Sequence, residues 1–402
     1  MTQFKAASDW SAGANNLASK DRLPKNAVRR AVNVDPVPGG TMAMRAGYEQ
    51  VYVGTNVRGV LALGDKLLIA DGPSLVEYDT LTDSSRVLRT IAGAGVFAGD
   101  ILNERLYFCT ENEALEYDGA TVRLWGVPDV LNQPGVSAGT GGALHEGGYQ
   151  VALTYTDAYG REGGTDKPAV ILVAEGATLI VSVPAPPTGC SANMYVSAQN
   201  GSTLYWQGAY EAAEVVTLSS VRDDTAECGT ILLRQPQPGQ FVAAHNGVLA
   251  VAVGSYVTIT APMRAHLMNR ISGFFQYAST VGGLVSSEAL FVSADKCYAI
   301  TGVETATPEQ ATVLEFPAVP GTMLLLPDGR GTWMTRYGQA VTNGAKVDLM
   351  HRDVFAPLPA QSGAAGVVDY NGNQLVVTAL RGVSDSNPLA AADFFIAEVT
   401  NP

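Results

Sequence analysis

From about residue 48 onward, short apolar runs alternate with clusters of Gly, Asn, Asp and Ser, a pattern that predicts brief strands joined by tight turns. One stretch repeats. Lys66-Leu67-Leu68-Ile69-Ala70 leads to Leu75-Val76-Glu77-Tyr78-Asp79. Thirty-nine residues later, Arg105-Leu106-Tyr107-Phe108-Cys109 leads to Ala114-Leu115-Glu116-Tyr117-Asp118. A further strand is expected after each copy, over Arg86 to Thr90 and Thr121 to Trp125, and one before each, over 59–63 and 95–99. A unit of about 40 residues with four short strands has the length and pattern of a propeller blade. Such a sheet cannot cover both of its faces alone and must stack on neighbours.

The repeat lapses near Val130, and residues 131–144, rich in Gly, Ser, Ala and Pro, read as a linker. Strands are then expected at 149–156, 169–173, 178–183, 192–197, 205–209 and 215–218. Turn signals at this spacing suggest a small β-sandwich. The run YQVALTYTDAYGREGG and the two strand patterns after it resemble a fibronectin type III-like module. Gln235-Pro236-Gln237-Pro238-Gly239 closes it. Blade-like strands resume at Phe241, and about four further blades are expected. Among them are Met323 to Pro327 with Thr332 to Met334, and a hairpin turning at Asn371-Gly372. Residues 262–270 read as a short helix or a linker. The expected fold is all-β: a propeller of five to seven blades, six as the best value, with an inserted sandwich and an extended N-terminal arm. The divisions are 1–47 arm, 48–144 first propeller part, 145–236 insert and 237–402 second propeller part. A strand over Tyr48 to Gly54 is expected to close the ring.

Composition sharpens this picture. The chain is 47% hydrophobic and 16% charged, which excludes a disordered class, and its 43 glycines suit many turns. The net charge of −13 argues against a general nucleic-acid binder. That charge is unevenly placed. Residues 1–47 carry seven basic against three acidic side chains, a net +4, so residues 48–402 carry −17. The arm has few large apolar residues and dense turn signals, with one helical turn expected over Ala27 to Val32. It cannot bury itself and should lie on its own body or on a neighbouring subunit. No apolar run reaches the roughly 18 residues of a membrane span, and no secretory signal is expected. Cys190 and Cys228 fall in one segment and could pair, although reduced thiols are the better expectation for all four cysteines.

Catalytic signatures are sparse. There is no GxSxG elbow, no phosphate-cradling GxxxxGK[ST] and no HExxH. Glu77 with Glu116, or Asp79 with Asp118, could form carboxylate pairs, but they recur at equivalent blade positions, as structural residues do. Asp223, Asp224 and Glu227 lack the alternation of a calcium loop. No catalytic residue, cofactor or metal is expected, and the chain is read as a non-enzyme. A propeller hydrolase would need carboxylates converging at one mouth.

Gly13, Asn15, Asn16, Leu23, Pro24, Ala31, Asn33, Val34, Asp35, Gly40, Arg45, Gly47 and Tyr48 together resemble the opening of tailed-bacteriophage virion proteins, including nozzle or tail-hub proteins of short-tailed phages. Ala46 departs from that pattern, where Pro commonly follows the Arg. The resemblance implies a structural virion protein of the tail or neck, assembled in the bacterial host cytoplasm. It implies a ring of copies, commonly six, beneath the portal and adaptor. Other tail proteins or fibres would be neighbours, and DNA would pass through the centre without tight binding. It points to Asn15, Asn16, Arg22, Leu23, Arg29, Arg30, Asn33, Asp35, Arg45 and Tyr48 as partner-binding residues of the arm. A second expectation is a receptor- or glycan-binding tail protein. It would use a propeller face or the insert, whose aromatics are Tyr155, Tyr159, Tyr195, Tyr205, Trp206 and Tyr210.

Overall fold

The computed structural model describes residues 9–31, 34–37, 40–44, 47, 49–91, 93, 95–269, 273–370 and 373–382. The protein is all-β and built of many small antiparallel sheets. It divides into two compact units, Thr55–Gln276 and the N-terminal segment together with Tyr277 onward.

Among its described residues, the first unit holds three meanders and a two-sheet insert. The first meander runs through Val57–Leu63, Lys66–Asp71, Ser74–Asp79 and Ser84–Thr90. The second runs through Phe97–Leu102, Arg105–Thr110, Ala114–Tyr117 and Val122–Leu124. The third runs through Phe241–His245, Val248–Val253, Tyr256–Ala261 and Arg264–Asn269, and Leu233–Arg234 beside the last and Phe274–Gln276 beside Tyr256–Ala261 widen it to six strands. The first strands of the three lie side by side. Stacking explains the unbroken apolar runs, because a strand covered on both faces has no solvent face to keep polar. Leu106, Phe108, Leu115 and Tyr117 pack on Leu68, Ala70 and Leu75 of the first meander. The alternate residues Tyr107, Cys109 and Ala114 pack on Leu249, Val251 and Met268 of the third. The third meander turns at Asn246-Gly247, both at positive φ, as a two-residue hairpin requires.

The insert pairs Gly135–Leu144, Ala177–Val183 and Glu214–Leu218 in one sheet, with Ala177–Val183 central. Ala169–Val173, Gly147–Asp157, Cys190–Ser197 and Leu204–Tyr210 form the other. Every second residue points inward. Val151, Leu153 and Tyr155 meet Leu179, Val181 and Val183 across a common core.

In the second unit, Gly283–Ser286, Leu290–Ser293, Cys297–Thr301 and Glu309–Leu314 form a fourth meander. A fifth comprises Leu324–Leu325, Gly331–Thr335, Gly338–Asn343 and Lys346–Met350. Phe291 and Trp333 join these two sheets, with ring centroids 5.7 Å apart. Ala360–Tyr370 and Asn373–Gly382 form a long hairpin whose turn, Asn371-Gly372, lies outside the described residues.

Several expectations are corrected. The stretch read as a linker contains the strand Gly135–Leu144. Its small residues sit mostly in solvent, so it carries no apolar signature. Ala27–Val28 is a short strand paired in parallel with Gly13–Ala14, and the helical turn falls instead at Lys20–Arg22. Residues 49–54 enter no sheet, and Val51 and Val53 are exposed. Residues 264–269 form a strand because Leu267 and Met268 fill the core beneath the third meander. After the insert, the described residues hold three meanders, the first of them widened to six strands, and one hairpin. All four cysteines are free, Cys190 and Cys228 included, in line with the expectation of reduced thiols.

Candidate functional site

The two copies of Glu-Tyr-Asp occupy matching places and do different work. Each Asp closes a turn. An Asp79 oxygen accepts from the backbone N–H groups of Leu81 and Thr82, and an Asp118 oxygen from those of Ala120 and Thr121. Each Glu lies on the face turned to the following sheet, directly across from an Arg on the fourth strand. Glu77 faces Arg86, and Glu116 faces Arg123.

Glu77 is buried between the first and second meanders. Arg86 donates to both of its oxygens at 2.9 Å, Lys66 lies 3.6 Å away, and the Tyr117 hydroxyl donates to Oε2. Burial alone would raise the Glu77 carboxyl, but the bonds from Arg86 and Tyr117 outweigh it and hold the pKa below the ordinary value. Tyr117→Phe is therefore expected to cost about 2 kcal/mol near neutral pH. A depressed carboxyl stabilises the fold above its unfolded pKa and loses that effect as pH falls through the folded value. The penalty should accordingly fade in acid. Denaturation of both proteins across pH 3 to 7 checks this.

Glu116 faces the third meander. Arg105 and Arg161 lie 3.6 and 3.0 Å from Oε1, and Arg123 Nε donates to the same oxygen. Burial prevails over these cations and raises its pKa. Arg161 comes from the insert, on the turn after Gly147–Asp157. Asp157 accepts from Arg161 Nε at 2.8 Å and from its backbone N–H at 2.9 Å, which fixes the turn. Arg161 also donates to the carbonyls of Trp125 and Leu124. Tyr159, on the same turn, lies beneath Arg123, 4.1 Å from guanidinium carbon to ring centre. Between these groups and the third meander opens a cleft of about 390 Å³, also lined by Asn103, Tyr107 and His266. Burial and then the charge of Arg161 lower the His266 pKa.

The neck of the insert is tightly built. Thr165 bridges in parallel both to Val130, where the chain leaves the second meander, and to Ile231, where it returns. Arg234 pairs with Asp166 at 2.8 Å and with Asp129 at 3.7 Å. Trp125 donates its indole N–H to the Ala265 carbonyl at 2.7 Å.

The arm residues are placed as follows. Asn15 is buried, and its side-chain oxygen accepts from the Ala18 N–H at 2.9 Å. Asn16 ties the arm to residues 354–356 of its own chain. Its amide donates to the Ala356 carbonyl at 2.8 Å and accepts from the Ala356 N–H at 2.9 Å, while its backbone N–H donates to Val354. Arg22 and Arg29 are exposed, and Leu23 and Arg30 are half-buried. Asn33, Arg45 and Tyr48, and the side chain of Asp35, lie outside the described residues. Of the insert's aromatics, Tyr155 and Tyr195 belong to the core and Tyr159 is exposed. Trp206 is half-buried, with Arg222 over its ring. Arg105, Arg123, Arg161 and His266 were not anticipated as neighbours.

Glu77 and Glu116 lie in different inter-sheet layers and do not converge. Among the described residues, no group of three or more His, Cys, Asp or Glu could hold a metal ion. No helix there is long and apolar enough to cross a membrane.

No family model and no curated protein matches the chain. Among solved structures, it is similar to the extracellular domain of a one-component system of B. thetaiotaomicron at 10% identity and a TM-score of 0.25. That match covers 84% of this chain and 60% of that one, so the chain spans less than two thirds of it. It is similar to AztD of Citrobacter koseri at 8% identity and a TM-score of 0.31, covering 74% and 72% of the two chains. The N-terminal domain of Nup159 follows at 13% identity and 0.29, covering 80% and 72%. Similarity at this level carries no functional weight.

Proposed function

We propose that the chain is a structural bacteriophage virion protein of the tail or neck, a nozzle or tail hub. Six copies would form a ring beneath the portal and adaptor, through which DNA is held and then ejected. The observation that carries this reading is the arm. Asn15 and Asn16 turn inward and anchor it, while Arg22 and Arg29 are exposed, where a partner can reach them. A second support is the side-by-side arrangement of first strands in the three meanders, as expected around a propeller axis. The five meanders and the long hairpin suit a six-bladed body, with a fibronectin type III-like insert. A body of net −17 repels DNA, and a basic arm suits an acidic neighbour.

The test is deletion of residues 1–47 in a system that assembles particles. The truncated protein should keep its β circular-dichroism spectrum and fail to enter particles. Normal incorporation would overturn the proposal, as would imaging of wild-type particles that finds the chain outside the tail or neck.

A further inference from the structure

We infer that the cleft beside Glu116 binds a neutral saccharide. Glu77 uses both oxygens: Oε1 takes Arg86 and Lys66, and Oε2 takes Arg86 and the Tyr117 hydroxyl. Glu116, at the same place in the next sheet, receives Arg105, Arg123 and Arg161 at Oε1. Among the described residues, no donor hydrogen-bonds its Oε2. The side chain is 3% exposed, and the cleft is lined by it. A carboxylate oxygen that no protein donor takes up, on a residue lining a cleft, is open to a hydroxyl or amide donor.

The register explains the difference. Leu106 pairs with Tyr117 in the second meander, and in the third, one step beyond the Ala250–Ile259 pair, Leu249 meets Thr260. The Thr260 hydroxyl is taken up accepting the Leu249 N–H at 2.8 Å. The side chain at the place of Tyr117 is therefore a short one, and it brings no phenol to Glu116.

Charge decides the class of ligand. Arg105 is paired with Glu116, Arg123 with Glu116 and Asp118, and Arg161 with Glu116 and Asp157. Asp118 and Asp157, which do not line the cleft, bring the carboxylates to three against three guanidinium groups, so little net charge remains with which to favour an anion or a cation. What it offers is a fixed array of donors and acceptors. Glu116 Oε2 accepts, the 40%-exposed Arg105 side chain donates, and the Asn103 amide does both. The exposed Tyr159 ring adds an apolar edge. Adjacent hydroxyls on a sugar ring match this array, and the volume falls in the range of small-ligand sites. A phenol would satisfy Oε2 but present only one oxygen to the remaining donors. The inference does not depend on ring assembly.

The experiment uses the full chain, with glucose, galactose, N-acetylglucosamine and maltose as probes, followed by saturation-transfer NMR and calorimetry. At least one should bind saturably, with Kd of about 1 mM. Arg105→Ala and Asn103→Ala should each weaken that binding roughly tenfold or more while retaining the wild-type β circular-dichroism spectrum. Tyr117→Phe, which alters only the Glu77 network, should leave it unchanged. No saturable binding of any probe up to about 50 mM would overturn the inference, as would binding unaffected by both alanine variants. Tighter binding of acetate or N-acetyltyrosine amide than of every sugar would also overturn it, in favour of an anion or phenol site.

Discussion

Arg161→Ala is expected to lower the stability of the Thr55–Gln276 unit by about 3 kcal/mol, a large loss for one side chain that is neither aliphatic nor aromatic. The loss has three parts. Glu116, nearly inaccessible to water, keeps its charge with one cation fewer. Asp157 loses its bond to Arg161 Nε, and the carbonyls of Trp125 and Leu124 lose a donor. The dependence on pH identifies the main part. Glu116 already has a raised pKa, first because of burial, and removing Arg161 raises it further. A raised carboxyl gives its stabilisation below the unfolded pKa and loses it as pH rises through the folded one. The gap between wild type and variant should therefore narrow as pH falls toward the ordinary carboxyl value. Arg161→Ala with Glu116→Gln should also be less destabilised than the sum of the two changes. Chemical denaturation between pH 4 and 8 tests both statements. An additive pair with a pH-independent gap would mean that Glu116 and Arg161 do not interact energetically.

Gly164→Ala should be at least as damaging, costing about 3 kcal/mol or more. A Cβ at this position would stand 1.8 Å from the Leu233 carbonyl oxygen and 2.4 Å from its carbon. These are backbone atoms in the returning strand, so no rotamer change relieves the clash. Gly160→Ala is the control. It has open space around its Cβ and a φ of +77°, and should cost only about 1 kcal/mol for the left-handed conformation. If the two variants unfold at the same denaturant concentration, the contact at the neck is not what constrains Gly164.

The parts of the fold legible in the sequence are those in which one strand carries its own signal. The first two meanders repeat Glu-Tyr-Asp at a fixed offset, and Gly147–Asp157 alternates clearly enough to mark the insert. Gly135–Leu144 was invisible because a strand of small, solvated residues has the composition of a linker. The third meander is a degenerate copy. Ile259-Thr260-Ala261 follows Val248 by eleven residues, as Glu77-Tyr78-Asp79 follows Lys66 and Glu116-Tyr117-Asp118 follows Arg105. That substitution was the available clue to the cleft, since a lost Glu-Tyr pair between stacked sheets leaves the previous Glu to find other partners. Which partners it finds could not be read, because Arg161 lies 45 residues from Glu116 and arrives only through the folded turn of the insert. The asparagines of the arm stood out in the sequence, but their role depends on Ala356, 340 residues away.

The bridges from Thr165 to Val130 and Ile231 also bear on how the chain finds its fold. The third meander must meet the second across about a hundred intervening residues, a search that an open loop would make entropically costly. The insert has its own core and can form as soon as its last strand has emerged from the ribosome. Once formed, it holds its entry and exit side by side, so that Phe241 and the residues after it begin next to the sheet they must join. The insert thereby acts as a splint during synthesis, shortening a long-range encounter to a local one.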